Sequence, residues 1–520
     1  MSINHTFQQP KNLISLRSLL FNCQSQLFYT PCKRFLSFLK FFSLRLTLFT
    51  CIYLLLPANN SIALSATTNK VIQGSAPYLT FDGGATKVTS IEGLLGINLP
   101  NSSYIPSGIN SALYPNAKVD TSSTDNPIEM PNITDTFADI QTIVPVSNYP
   151  EVSLTNLVNA PYNYGRDDDG DGSISATGQL TIKWQDKNGK DITNEVKKQP
   201  NKPLNICNSP YKLTLTATNA RLWTTYGIPH ESRFTGASHS YYIKPNIDKP
   251  LVCYAQPNLN YGTNEYAGPE EQWDPNHGFK VQDLGNASKN FPTTGANNLY
   301  FKLILEGMTA RQMIAINGNK VNPVLGKGIT LSLSAENNAL EGNIVRITLK
   351  GPTQNSINKT FHPARFELYS DKAKKNLIYQ FKIEHWFIVK SGDTGQNFNN
   401  ALSFCKNLSS PQTYFVPEVQ DYTNANGFGW NFGVPGQGNT YQRRISYWNS
   451  SNNKWVGGLF NEWGIIYDYR DAGWDFGDYW VINESQGKRY NVFAQFGDVD
   501  FLFNHPSSDR VACFTWMSDF

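Results

Sequence analysis

The chain has 520 residues, 16% of them charged and 13% aromatic. That length exceeds one ordinary domain and predicts three or four, and 31 Phe, 26 Tyr and 11 Trp supply enough apolar surface to exclude disorder over most of it. The net charge of +3 arises in residues 1–66, which hold six basic side chains and no acid; the rest carries 38 basic against 41 acidic residues, a net of −3. A near-neutral body offers no field for nucleic acid or anionic lipid.

Residues 1–66 read as a secretion signal. A basic stretch reaches Arg45, and an apolar core of 11 residues follows from Leu46 to Leu56. That core fits a secretory leader and is too short to span a bilayer. Pro57 ends it, and Ser61-Ile62-Ala63 or Leu64-Ser65-Ala66 offers a cleavage site. Four of the seven cysteines lie beyond the leader: Cys207, Cys253, Cys405 and Cys513. An even number in an exported chain predicts disulfides. Three pairings are open; the wide gap between the two pairs favours Cys207–Cys253 and Cys405–Cys513.

Residues 67–149 are rich in Ser, Asn, Pro and Thr, with poor periodicity, and read as an extended linker or loosely built region with a few short strands. Residues 150–255 read as a β-sandwich module. Leu180, Ile182 and Trp184 alternate with polar residues, Asp186-Lys187-Asn188-Gly189 supplies a hairpin turn, and Tyr211, Leu213, Leu215 and Ala217 alternate again. Residues 256–389 predict an immunoglobulin-like domain with strands at 299–305, 329–333, 344–349 and 366–369, and one long strand over 378–389.

The pattern changes after Lys390. Phe398, Ala401, Leu402, Cys405 and Leu408 share one helical face. A second helix is expected after Pro417, with Val419 and Tyr422 inward. Loops dense in Trp, Gly and Tyr follow, and a strand at 510–514 carries Cys513. Seven of the 11 tryptophans fall here, marking 390–520 as a domain of its own. The expected fold class is mainly β, with an α+β domain at the C-terminal end.

Several runs in this last domain match, in order, a known pattern. They are Tyr414-Phe415-Val416-Pro417-Glu418-Val419, Thr423-Asn424-Ala425, Tyr441-Gln442-Arg443-Arg444-Ile445, Gly458-Leu459-Phe460-Asn461-Glu462-Trp463-Gly464, Tyr479-Trp480 and Val511-Ala512-Cys513. Upstream stand Ser209-Pro210-Tyr211-Lys212-Leu213-Thr214-Leu215, Trp273-Asp274-Pro275-Asn276-His277-Gly278-Phe279 and Phe291-Pro292-Thr293-Thr294-Gly295-Ala296. Over residues 150–520 the chain resembles bacterial intimin/invasin-type adhesins, and among them the secreted, barrel-less members and the invasin-E-type adhesion domain. The resemblance implies immunoglobulin-like modules ending in a C-type-lectin-like domain that binds a host-cell or bacterial surface receptor, protein or glycan. Many members carry their own outer-membrane barrel. No run of alternating, aromatic-girdled strands of that kind is present here, so release, or export through a separate outer-membrane barrel, is expected.

Candidate sites have bland alternatives beside them. Asp167, Asp169 and Asp171 are spaced two apart before Gly172, as in a calcium loop, but the bidentate Glu of an EF-hand is missing at Gly178. A calcium-rigidified loop and a solvated acidic turn both fit. Trp430, Trp448, Trp455 and Trp474 sit among Gly and Asn and are candidate ligand-binding anchors; for any single one, burial in a core is the more ordinary fate. The Glu-Pro-Asn and Gln-Pro-Asp motifs of calcium-dependent sugar capture are absent. Glu462, Asp468, Asp471, Asp475 and Asp478 are an acidic stretch that a glycosidase could use, and a solvated or Arg-paired face explains it better. The histidines are scattered, and no zinc spacing, nucleophile elbow or phosphate loop is visible. A non-enzymatic adhesin is the expected function; a secreted carbohydrate-active enzyme and an exported partner of a separate barrel are the alternatives.

Overall fold

A computed structural model describes residues 74–516, except 81–82, 85–86, 89, 109–113, 170–172, 393–394, 409–411, 452 and 502–508. The leader and its cleavage sites lie outside the described residues. The fold is mainly β. Among the described residues no helix is long and apolar enough to cross a membrane.

Two hydrophobic cores organise the chain. The first gathers apolar residues from Leu79 to Ile243. Its main sheet has five strands in the order Ile128–Glu129, Ala237–Lys244, Tyr211–Ala217, Gln179–Gln185 and Glu151–Ser153. Along Tyr211–Ala217 buried and half-buried residues alternate strictly, as the sequence pattern requires of a sheet with one face inward. Trp184 is fully buried and meets Phe137 edge-to-face, ring centres 5.3 Å apart.

The expected hairpin turn is present. Gly189 sits at φ +80°, a left-handed conformation that glycine adopts without penalty. The return is brief, because Gln185 bridges Asp191 and the helix Thr193–Lys198 then intervenes before Tyr211. Residues upstream of 150 differ from the linker reading. Leu94, Leu95, Ile97, Met130, Ile140, Val144 and Tyr149 are buried in the first core. Leu94 and Leu95 lie in a 3-10 helix and Ile97 in a three-residue strand, while the others lie in loops beside strands of two to four residues, too short for any period to show.

The second core runs from Val252 to Phe514. Its seven-stranded sheet is ordered Trp273–Asp274, Gly278–Lys280, Leu251–Gln256, Tyr300–Glu306, Ile344–Lys350, Thr330–Ala335 and Lys320–Val321. Leu325–Lys327, His362–Tyr369 and Leu377–Ile383 form a separate three-stranded sheet. The expected long strand over 378–389 is two strands, Leu377–Ile383 and His385–Val389. At the break the N–H groups of Glu384 and His385 both donate to the Thr293 carbonyl, at 2.7 and 3.3 Å. His385–Val389 then enters another sheet, parallel to Thr294–Ala296 and antiparallel to Ala512–Thr515. Gln380, Lys382 and Glu384 alternate with apolar residues up to the break, and His385–Val389 beyond it is buried throughout, so the pattern changes where the sheet does.

Residues beyond 390 add the helix Phe398–Leu408, short helices Val419–Tyr422 and Leu459–Trp463, a hairpin, and the sheet Asp478–Ser485, Lys488–Phe493 and Val499–Phe501. Ala401, Cys405 and Leu408 face inward, whereas Leu402 is exposed. These residues share the second core with 252–389. Both disulfides follow the favoured pairing. Cys207–Cys253 spans 46 residues and Cys405–Cys513 spans 108. Cys253 lies in Leu251–Gln256, a strand of the second core, so the first bond joins the two cores.

Candidate ligand-binding surface

The residue most central to the C-terminal region is Glu462, with no exposed surface. It does not belong to a solvated acidic face, as the sequence pattern suggested. Its carboxylate accepts from Thr293 N (2.9 Å) and Oγ1 (2.6 Å), Thr294 N (3.0 Å) and Oγ1 (2.8 Å), and Ser446 N (2.9 Å). A carboxylate offers about four lone-pair sites, so these donors saturate it. Beside it the Trp463 indole N–H donates to Thr294 O at 3.0 Å, and its ring packs 5.0 Å from Phe291. Arg443 is also fully buried; its guanidinium lies 4.5 Å over the Trp273 ring and donates to Asn258 O at 2.6 Å. Burial lowers the pKa of that guanidinium.

Ser446 leads directly into the hairpin of strands Tyr447–Asn449 and Lys454–Val456. Glu462 therefore fixes the root of this hairpin to the second core. Gly458, just past the hairpin, lets Leu459–Trp463 approach Val419–Tyr422; a Cβ there would stand 2.1 Å from the Asp421 carbonyl oxygen. Beneath the hairpin, His385 and Asp421 are both buried, their Nδ1 and Oδ1 atoms 3.6 Å apart. Burial pushes the histidine down to about 3, so its ring is neutral at neutral pH, and raises the Asp421 carboxyl well above its usual range.

The four tryptophans divide. Trp430 and Trp474 are each 4% exposed and belong to the core, contrary to a role as surface anchors. Long loops with little regular structure need large rings to bury their own backbone, and these two serve that purpose. Trp455 is half-buried, its ring centre 4.6 Å from His385. Trp448 is 56% exposed. It stands directly opposite Trp455 in the hairpin, so the two share one face.

The other hairpin face carries Tyr447, Asn449 and Lys454, with Asn449 opposite Lys454. Lys454 Nζ lies 3.7 Å from the centre of the Phe432 ring, and the Arg444 guanidinium 5.8 Å from that of Tyr447. Phe428, Phe432 and Tyr447 are exposed. Attention to tryptophan alone misses all three; Phe428-Gly429 and Phe432-Gly433 carry a signal, an aromatic next to Gly, and Tyr447 carries none.

Two of the other carboxylates are held by their surroundings. Asp468 Oδ2 accepts from the side-chain amides of Asn258 and Asn260, at 2.9 and 3.1 Å. Asp478 is raised to about 6 by burial and by the neighbouring charges of Asp509, Asp498 and Asp500. In the acidic loop, Asp171 lies outside the described residues. Ser75 N donates to Asp169 Oδ2 at 2.6 Å, and Ser75 Oγ reaches Asp169 Oδ1 at 3.2 Å. Asp167 Oδ1 accepts from Asp169 N at 2.8 Å. Calcium takes six to eight oxygens, and among the described residues only Asp167 Oδ2 is a buried loop carboxylate oxygen without a partner. The described part of the loop tethers the residues around Ser75. No described group of three or more His, Cys, Asp and Glu is arranged to hold a metal.

Where the two cores meet, a cavity of about 440 Å³ is lined by Tyr211, Lys190, Glu195, Glu270, Asp274 and Asn276 among others. Its charges are largely satisfied. Lys190 pairs with Glu270 at 2.6 Å, and Asn188 donates to Asp274 at 3.1 Å. Tyr254 packs between the Lys187 ammonium, 4.6 Å from its ring centre, and the His277 ring at 4.9 Å. These contacts and the Cys207–Cys253 bond make the junction a close-fitting joint.

No protein-family model, curated protein or solved structure matches this chain.

Proposed function

We propose that the chain is a secreted or surface-associated bacterial adhesin of the intimin/invasin type. In this reading the β-rich body is built of immunoglobulin-like modules, and residues 390–520 form a C-type-lectin-like tip that contacts a protein or glycan receptor on a host or bacterial surface. Two disulfides suit an exported chain. The helix with Cys405, bonded to the strand with Cys513, supports a lectin-like arrangement. Export through a separate outer-membrane barrel belongs to the same proposal.

The observation that carries the reading is the exposed aromatic group on the hairpin, Trp448 above all, rooted through Ser446 on a saturated buried carboxylate. Exposed aromatics held on a rigid base are the usual anchors of protein and glycan recognition. Glu462, the best-placed carboxylate for an enzyme, is sealed by five donors and faces no solvent, which disfavours the glycosidase alternative. The test is binding of the purified full chain to panels of host cells and bacterial surfaces, with calcium and with chelator. Binding that survives chelation and falls about tenfold or more in Trp448→Ala is expected. Absence of binding to every surface overturns the proposal.

A further inference from the structure

We propose that the hairpin face opposite Trp448 recognises an anionic glycan, a sugar bearing carboxylate or sulfate, through Lys454 and Arg444. The inference rests on the adhesive reading and adds a ligand class for the hairpin face that Trp448 does not occupy. Tyr447, Asn449 and Lys454 occupy one face by strand register, and Phe432 and Arg444 pack against that face. Neither Lys454 nor Arg444 has a carboxylate partner among the described residues. Other bases of this region do: Arg489 pairs with Glu484 at 3.0 Å, and Lys382 with Glu384 at 3.0 Å. Each of these two half-buried cations thus lies against an aromatic ring, Lys454 over Phe432 and Arg444 over Tyr447.

A ring beneath a cation restrains it without neutralising it. Ordering is then partly complete before an anion arrives, which lowers the entropy cost of binding. Between the cations lie neutral groups suited to sugar hydroxyls. Asn449 Oδ1 accepts from Ser451 N at 3.0 Å, which leaves its amide N–H groups unpartnered among the described residues. The Tyr447 hydroxyl has no hydrogen-bond partner there either. Two cations on a face that also carries an amide and a phenol, beside half-exposed Phe432, match a pyranose with one acidic group and several hydroxyls.

The test compares binding of the purified full chain to sialyllactose, a heparin-derived oligosaccharide, neutral lactose and a polyglutamate peptide. At least tenfold preference for one acidic saccharide over lactose is expected, weakening as salt rises from about 50 to about 300 mM. The sialylated and sulfated arms identify the anion. Lys454→Gln and Arg444→Gln should each reduce that binding about tenfold, with near-UV circular dichroism unchanged. Equal binding of lactose, or no loss in either variant, overturns the inference. So does binding of polyglutamate with no acidic saccharide bound. Cell binding that is lost in Trp448→Ala but retained in Lys454→Gln overturns this inference alone, whereas absence of all cell binding removes the adhesive reading as well.

Discussion

Single residues in the C-terminal region act mostly through what they deny to water. Glu462, Arg443, His385 and Asp421 are buried polar groups in a protein whose overall charge density is low. Their roles were the least legible part of the sequence, because a buried and a solvated glutamate are written with the same letter. Glu462 sits in a run dense in acids, and only its five donors reveal it as interior. Asp478 shows the opposite balance, with a folded-state pKa near 6 against an ordinary carboxylate value. Between about pH 4 and pH 6 the folded state holds this proton and the unfolded chain releases it, so stability falls as pH rises through that window and is flat above it. Asp478→Asn is expected to raise unfolding free energy by about 1–2 kcal/mol at pH 7.5 and by little at pH 4.5. Urea denaturation at both pH values checks this, and an equal effect at both would remove the electrostatic explanation.

At the scale of elements, strand alternation was the most readable signal. Tyr211–Ala217, Tyr300–Glu306 and Ile344–Lys350 lie where the pattern predicts them, within a residue or so. The helix Phe398–Leu408 also follows its apolar face, apart from Leu402. The failures have physical causes. In 377–389 the alternation of Gln380, Lys382 and Glu384 gives way at His385 to a fully buried strand, a change that is easily read as one long strand, and strands of two to four residues before 150 are shorter than any period. Cysteine spacing, in contrast, was read from loop length alone. The Cys405–Cys513 bond closes a separation of 108 residues, so on the chain-entropy account its loss costs about 4–5 kcal/mol. Chemical denaturation of the Cys405→Ser/Cys513→Ser variant should show that loss, with the greatest gain in amide exchange in Phe398–Leu408. A change below about 1 kcal/mol would mean that the sheet partners of Ala512–Thr515 alone hold the closing strand.

At the scale of the whole molecule, the change in composition after Lys390 suggested a separate domain, but the packing is shared. Thr293 and Thr294 hold Glu462, Trp463 packs on Phe291, and His385–Val389 pairs with Ala512–Thr515. Composition records which residues a segment contains, not which surface they bury, so this continuity left no mark in the sequence. A fragment of residues 390–520 is expected to lack near-UV circular dichroism and bind hydrophobic dye, while a fragment of residues 251–520 should fold cooperatively. A native-like spectrum from the shorter fragment would contradict the shared core.

The bond between the two cores bears on how such a molecule behaves when pulled. The strands Tyr211–Ala217 and Ala237–Lys244 lie between Cys207 and Cys253 in the chain. Tension applied to the chain on either side of the two cores would cross from residue 253 to residue 207 through the sulfur bridge. The intervening 46-residue separation then carries no load. The two strands at the centre of the first sheet are thus shielded from traction, and the first core is stretched only along its remaining chain, ahead of Cys207.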